Sequence, residues 1–231
     1  MSAADVEVWS VPKSGHAEHE NEDAGAAASA DWPVHAAVAD GATEAAFSRA
    51  WARELVQHAV SAGVVAPSES DLQVWRAAWR DRIAPRLEMR PWYVAAKAEE
   101  GAYATYLHMQ CRASGEWKAA CVGDCVLFQL RGDALHLAWP ETDLDAFDHR
   151  PALISTTPNS VPDVRTEHGT WRPGDRFLLA TDAAAAWLLR VGPAEALLWG
   201  ARSFEDAVAS ARAAGRLRND DTTILLLTPH Q

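Results

Sequence analysis

The sequence predicts an α+β fold in which β-sheets pack together and are covered by helices. Three observations lead to this prediction. Short apolar runs of strand length occur near both ends and throughout the middle of the chain. Other, longer segments repeat their apolar residues at helical spacing. Strand runs mixed with pairs of helices are typical of packed sheets with helices on the outside.

The predicted strands are short, and half of them lie in the middle third of the chain. They cover residues 6–11, 34–39, 102–111, 117–122, 125–130, 134–138, 176–181 and 222–228. Arg131-Gly132-Asp133 separates two of them and has the composition of a hairpin turn. In this setting the Arg-Gly-Asp tripeptide indicates a turn and not an adhesion signal.

Two helices are predicted between the second and third of these strands. The first begins with Thr43 as its N-cap, carries apolar residues every fourth position from Phe47, and ends at Gly63. The second begins near Ser68 and ends at Pro85, because proline interrupts helical hydrogen bonding.

Two further helices are predicted in the C-terminal quarter. One covers residues 183–190, and the other is capped by Ser203 with Asp206 and stops at Gly215.

Composition limits the classes of function. The chain has 231 residues and a formal net charge of −11, which fits one α/β domain over residues 1–231 and argues against a nucleic-acid partner. The three cysteines, Cys111, Cys121 and Cys125, have no metal-site spacing and are expected to be buried thiols. Neither a signal peptide nor an apolar run of about 20 residues is apparent, so we expect a cytoplasmic protein without a membrane partner.

Acidic residues stand at the ends of the apolar strands. A lone aspartate at such a position is usually a turn or a helix cap. Here the pattern recurs, and if the strands align the carboxylates converge at one end of the sheets. Repelling carboxylates can share a site when a cation neutralises them, and oxygen ligands favour magnesium, manganese or calcium over zinc. The residues are Glu22, Asp23, Asp40, Asp124, Asp182, Asp220 and Asp221.

Five short motifs follow one another in an order that resembles the metal-dependent protein phosphatases of type 2C. They are Asn21-Glu22-Asp23-Ala24, Val38-Ala39-Asp40-Gly41-Ala42, Val122-Gly123-Asp124, Ala180-Thr181-Asp182 and Asn219-Asp220-Asp221-Thr222-Thr223. Each motif is weak by itself, but the series covers nearly the whole chain. The resemblance implies a four-layer α-β-β-α sandwich of two mainly antiparallel sheets flanked by helices.

The resemblance also implies two Mn²⁺ or Mg²⁺ ions and the residues that hold them. Asp40 would bridge both ions, the Gly41 carbonyl would contact one, and Asp182 and Asp220 would hold the other. Glu22 and Asp23 would act on the metals directly or through ordered water. Asp124 matches the position of a third, weaker metal in bacterial members.

The implied reaction is hydrolysis of phosphoserine or phosphothreonine in a phosphorylated protein, and the implied partner is an opposing Ser/Thr kinase. A metal-bridging water becomes the hydroxide nucleophile, and no phosphoenzyme forms. The cysteines therefore need no catalytic role.

The sequence departs from the family pattern at three places. Glu18 stands where members carry a phosphate-binding arginine, and the cations nearby are Lys13, His16 and His19. Ala183 replaces the usual glycine after Asp182, which is harmless if the backbone needs no positive φ. The segment before Arg176 is short for the family's flap, and Asp143 or Asp145 would have to supply any third-metal aspartate there.

Two alternatives to a phosphoprotein phosphatase stay open. Glu18 at the arginine position is compatible with a non-catalytic binding or regulatory module on the same scaffold. The short flap segment is compatible with a phosphatase of a small phosphorylated metabolite. A haloacid-dehalogenase-type reading of Asp143-Leu144-Asp145 fails, because no buried apolar strand precedes it.

Overall fold

Two antiparallel sheets of five strands each form the centre of the fold in a computed structural model that describes residues 2–42, 47–88, 91–148, 151–158 and 162–230. The strands are β1 (Ala4–Val11), β2 (Ala24–Ala28), β3 (Val34–Ala39), β4 (Tyr103–Ala104), β5 (Tyr106–Cys111), β6 (Glu116–Val122), β7 (Val126–Arg131), β8 (Ala134–Trp139), β9 (Ile154–Ser155), β10 (Arg165–Thr170), β11 (Asp175–Ala180) and β12 (Thr222–Pro229). The helices are α1 (Ser48–Ala62), α2 (Glu69–Leu87), α3 (Trp92–Glu99), α4 (Asp182–Val191) and α5 (Ala201–Ala213).

The order of strands brings distant parts of the chain together. The first sheet has the order β1-β12-β11-β7-β8, and the second has the order β10-β6-β5-β3-β2. The short strands β4 and β9 form a separate pair. Because β1 pairs with β12 over its full length, the N-terminal and C-terminal segments run side by side.

Three layers of buried side chains show that the architecture is the predicted four-layer sandwich. One core lies between the second sheet and helices α1 and α2, and it contains Trp51 and Trp75. Another lies between the two sheets and contains Leu107 and Phe177. The last lies between the first sheet and helices α4 and α5 and contains Phe204.

Strand β3 packs on both of its faces, and its sequence is therefore a continuous apolar run and not an alternating one. Ala37 and Ala39 face the helices, whereas Ala36 and Val38 face the other sheet. Both faces of the strand are covered, so every residue from Val34 to Ala39 is buried.

Several predicted boundaries are confirmed. Ser68 caps α2, with its hydroxyl accepting a hydrogen bond from the Asp71 amide at 3.3 Å. The turn at Arg131-Gly132-Asp133 joins β7 and β8, and Gly132 has a φ of 58°. The predicted N-cap Thr43 lies outside the described residues.

Other boundaries were wrong for identifiable reasons. Pro85 does not end α2, because it lies in the last turn and the helix continues to Leu87. Ser203 is not the N-cap of α5: the cap is Gly200, and the Ser203 hydroxyl reaches back to accept from its amide at 2.7 Å.

Some elements carried no usable signal. Strand β10 reads Arg-Thr-Glu-His-Gly-Thr and is an edge strand, so it has no apolar run. The predicted strand over residues 102–111 is interrupted at Thr105. Within the described residues, no helix combines the length and apolarity needed to cross a membrane.

Candidate metal centre

The acidic residues of the five motifs converge at one end of the two sheets. Asp23 precedes β2, Asp40 follows β3, and Asp124 lies between β6 and β7. Asp182 opens α4 one residue after the end of β11, and Asp220 lies just before β12. Burial raises the pKa of the Asp40 carboxyl well above its usual range, and the charges of Asp23, Asp182, Asp124 and Asp220 raise it further. Contacts link these carboxylates in space as well, because Arg218 contacts both Asp182 and Asp220, and the Thr181 hydroxyl donates to Asp23.

Asp40 is held by its backbone. The Asp40 amide donates to the Thr105 hydroxyl at 3.0 Å, and the Asp40 carbonyl accepts from the Thr105 amide at 2.8 Å. The Thr105 methyl also sits where a side chain on Gly123 would be, 2.6 Å from an ideal Cβ. Thr105 therefore fixes Asp40 beside the turn that carries Asp124.

Gly41 permits a close approach of two other segments. A Cβ added to Gly41 would lie 2.9 Å from the carbonyl carbon of Ser48 and 3.0 Å from the carbonyl oxygen of Glu22. Such distances are too short for a methyl group. Glycine at this position thus lets the Glu22 backbone and the start of α1 pack against the centre.

Asp23 is a buried carboxylate that is only partly satisfied. It is 7% exposed, and its Oδ2 accepts from the Thr181 hydroxyl at 2.8 Å. Its Oδ1 is buried without a hydrogen-bond partner among the described residues. Burial raises the pKa of Asp23 to about 8, although hydrogen bonds from Thr223 and Thr181 oppose the rise.

Asp124 has the same character. It is 9% exposed, and its Oδ1 is buried with no partner among the described residues. Burial, followed by the charge of Asp182, raises the pKa of Asp124 to about 7. A buried oxygen without a hydrogen-bond partner is costly. A positively charged ligand would satisfy the Oδ1 atoms of both Asp23 and Asp124.

Arg218 lies between two of the carboxylates. Its guanidinium contacts the Asp182 Oδ2 closely and the Asp220 Oδ2 at 3.1 Å. Burial raises the pKa of Asp182 while the charge of Arg218 lowers it. Asp182 also accepts from the amide of Ala183 at the start of α4. Ala183 is helical and not among the residues with positive φ, so glycine is not required there.

Asp221 has a role that differs from that of Asp220. It is 4% exposed, and its two oxygens accept from the amides of Lys13 at 2.9 Å and Glu22 at 2.7 Å. Asp221 therefore ties the N-terminal loop and Glu22 to the start of β12. The sequence assigned a metal to Asp220 through the family resemblance and gave no role to Asp221.

A family model described as protein phosphatase 2C matches residues 14–214. The chain belongs to the protein phosphatase 2C family.

Solved structures of phosphatases share the fold. The Mycobacterium tuberculosis serine/threonine phosphatase PstP/Ppp is 19% identical, with 100% of both chains covered and a TM-score of 0.67. The PstP catalytic domain in complex with two manganese ions is also 19% identical, with 100% of both chains covered and a TM-score of 0.65. PppA of Pseudomonas aeruginosa, described as a regulatory component of T6SS, is 20% identical, with 99% of both chains covered and a TM-score of 0.60. No curated protein matches the sequence.

The donor set in this member of the protein phosphatase 2C family fits hard divalent cations. The converging side chains offer carboxylate oxygens, two of which are buried without partners, and such oxygens suit magnesium or manganese. Among the described residues, no three His, Cys, Asp or Glu side chains already surround one point as metal ligands. The Arg218 guanidinium supplies the positive charge between Asp182 and Asp220.

The other candidates from the sequence lie away from this cluster. Lys13, His16 and His19 lie in the N-terminal segment; Lys13 meets Asp221 through its backbone amide, and both histidines are exposed. Asp143 and Asp145 are exposed, and the Asp145 amide donates to Asp143 at 3.0 Å in a surface turn.

Proposed function

We propose that this protein is a metal-dependent phosphatase that hydrolyses phosphoserine and phosphothreonine in proteins. The observation that carries the proposal is the convergence of Asp23, Asp40, Asp124, Asp182 and Asp220 in a partly buried cluster. Carboxylates kept together at this energetic cost need a compensating role. Binding of catalytic cations provides one.

The proposed ligands follow the family pattern residue by residue. Asp40, the Gly41 carbonyl, Asp182 and Asp220 would hold two Mn²⁺ or Mg²⁺ ions, and Asp124 would contribute to a third, weaker site. When bound, the ions supply an acidified water as nucleophile and neutralise charge on the phosphoryl oxygens.

The chain's own residues position these groups. The Thr181 hydroxyl orients Asp23, Thr105 fixes the Asp40 backbone, and Asp221 holds the Glu22 amide. Glu22 and Asp23 would then orient water at the edge of the cluster. Residues 1–231 would act as one catalytic domain, which the pairing of β1 with β12 supports.

The test is hydrolysis of p-nitrophenyl phosphate and of a phosphothreonine peptide, with manganese and with EDTA. We expect manganese-dependent turnover that Asp40→Asn and Asp182→Asn reduce by a factor of about 10³ or more, as loss of a group acting in the transition state does. Asp143→Asn is the matched control, because it removes an exposed carboxylate outside the cluster. Full activity of Asp40→Asn would refute the proposal.

The same assay, together with a manganese titration by calorimetry, separates the two alternatives. Tight manganese binding without turnover of either substrate would support a non-catalytic binding module, which Glu18 at the arginine position favours. Turnover of small phosphate esters but not of phosphopeptides would support a metabolite phosphatase, which the short segment before Arg176 favours.

A further inference from the structure

A cleft of about 380 Å³ is lined by Asp23 of the acidic cluster and by three arginines. Asp23 lines it on the side of the cluster. Arg49 and Arg53 of α1 and Arg82 of α2 also line it. A concentration of arginines is notable in a chain with a net charge of −11.

Small residues form another part of the lining. They are Ala24, Gly25 and Ala26 of β2. Their short side chains occupy little of the cleft. A ligand that fills the cleft would therefore lie against both Asp23 and the arginines.

The three arginines differ in whether their charge is already neutralised. Arg82 forms a close ion pair with the buried Glu54. Arg49 and Arg53, in contrast, form no ion pair within the part of the chain that the structure describes. Two guanidinium groups in the cleft are thus available to an anion.

Arg49 is the better placed of these two for a deep ligand. It is half-buried, and its Nε is enclosed by protein without a hydrogen-bond partner among the described residues. Burial lowers the pKa of its guanidinium, and the neighbouring charge of Arg53 lowers it further. A bound anion would offset both effects and supply the missing acceptor.

Arg53 lies one helical turn further along α1 and is exposed. Residues four apart project from the same face of a helix. Arg53 therefore lies at the mouth of the same cleft, where it can meet a second anionic group.

Glu18 cannot supply the positive charge that binds the substrate phosphate, so this charge has to come from α1. It stands at the family's arginine position, lines the same cleft and is exposed. A carboxylate cannot bind phosphate, because both groups are negative. Arg49 and Arg53 of α1 line the same cleft, and the nearby charge of Glu18 acts to raise the pKa of Arg49.

We propose that Arg49 binds the phosphoryl oxygens of the substrate and that Arg53 binds an acidic side chain next to the phosphorylated residue. This inference rests on the proposed phosphatase function and adds a substrate class to it, acidic phosphopeptides. Relative to the family pattern, the phosphate-binding arginine then lies on α1 and not in the N-terminal segment. The position of the acidic cluster is unchanged.

The first experiment measures the binding of inorganic phosphate to the manganese-loaded protein by calorimetry. Arg49→Gln should weaken binding by about 10- to 100-fold, since a charge-assisted, bidentate contact is lost. Arg49→Lys should recover part of the loss. Arg86→Gln is the control, because its charge is close enough to influence Arg49 but it does not line the cleft.

Manganese affinity and melting temperature should match the wild type in Arg49→Gln, which excludes a folding defect. Phosphate affinity within twofold of the wild type would overturn the role of Arg49. This titration needs no turnover, so it decides the inference even if the protein proves inactive. In an active protein, Arg49→Gln should raise KM more than it lowers kcat.

The second experiment compares two phosphothreonine peptides that differ in acidic or neutral neighbours. The wild type should prefer the acidic peptide in kcat/KM by about 5-fold or more, and Arg53→Gln should abolish the preference, as expected for one exposed charge pair. An unchanged preference in Arg53→Gln would overturn the role of Arg53.

Discussion

The replacement of Asp221 by asparagine tests how the N-terminal segment is held at the centre. The carboxylate accepts two backbone hydrogen bonds, from Lys13 and Glu22, while it is 4% exposed. An asparagine can offer one oxygen, and its amino group would face the second amide. One hydrogen bond to a charged acceptor is lost, and one donor is left without a partner.

The expected cost is about 2–3 kcal/mol in the free energy of unfolding, because a hydrogen bond to a charged group contributes ~1.5–3 kcal/mol. For a chain of this size, that corresponds to a fall in melting temperature of roughly 4–12 °C. A second effect opposes it, because the charge of Asp221 raises the pKa of Asp23 and its removal relieves repulsion. Bound metal neutralises that repulsion, so the fall should be larger with manganese than with EDTA.

Thermal unfolding of wild type, Asp221→Asn and Asp206→Asn, each with manganese and with EDTA, measures these effects. Asp206 is an exposed residue of α5 and controls for the chemical change. We also expect weaker manganese binding in Asp221→Asn, since the Glu22 backbone is released. A melting temperature equal to that of the wild type in manganese would refute the reasoning.

Two further predictions concern the charges of the cluster. In EDTA the protein should lose stability as pH rises from about 5 to 8, because the folded state keeps protons on Asp124 (pKa about 7) and Asp23 (pKa about 8) that the unfolded chain releases near 3.8. Melting temperatures across this range should fall in EDTA and change less with manganese. A rise in melting temperature in EDTA would contradict the assignment. Arg218→Gln should tighten manganese binding by about fivefold in calorimetry, because a half-exposed ion pair worth up to ~1 kcal/mol no longer competes for Asp182 and Asp220. The control is Arg216→Gln, which changes an exposed arginine. Weaker manganese binding in Arg218→Gln would show that Arg218 does not compete with the metal.

The convergence of the carboxylates could be predicted because each one follows or precedes an apolar run. Asp40 stands directly after β3, and Asp182 stands one residue beyond the end of β11, so the strands position both without a long loop. The same logic failed for β10, whose polar residues are compatible with an edge strand but give no apolar signal.

The contacts of Asp221, Arg218 and Arg49 could not be predicted, because they depend on how loops and helices pack against the strands. Asp221 meets residues about 200 positions away, at Lys13 and Glu22. Arg49 belongs to a helix whose apolar stripe was predicted. That stripe does not predict which groups the polar residues of the helix contact. Long-range packing sets these contacts, and a single sequence does not display it.

The position of β12 has a consequence for the order in which the protein becomes competent during synthesis. This strand follows every other described strand in the chain, yet it lies between β1 and β11 in its sheet. Until it has left the ribosome, β1 has no partner in that sheet and Asp220 and Asp221 cannot join the cluster. A growing chain that already carries Asp23, Asp40 and Asp182 therefore has no complete centre, which delays any catalysis until translation has passed β12.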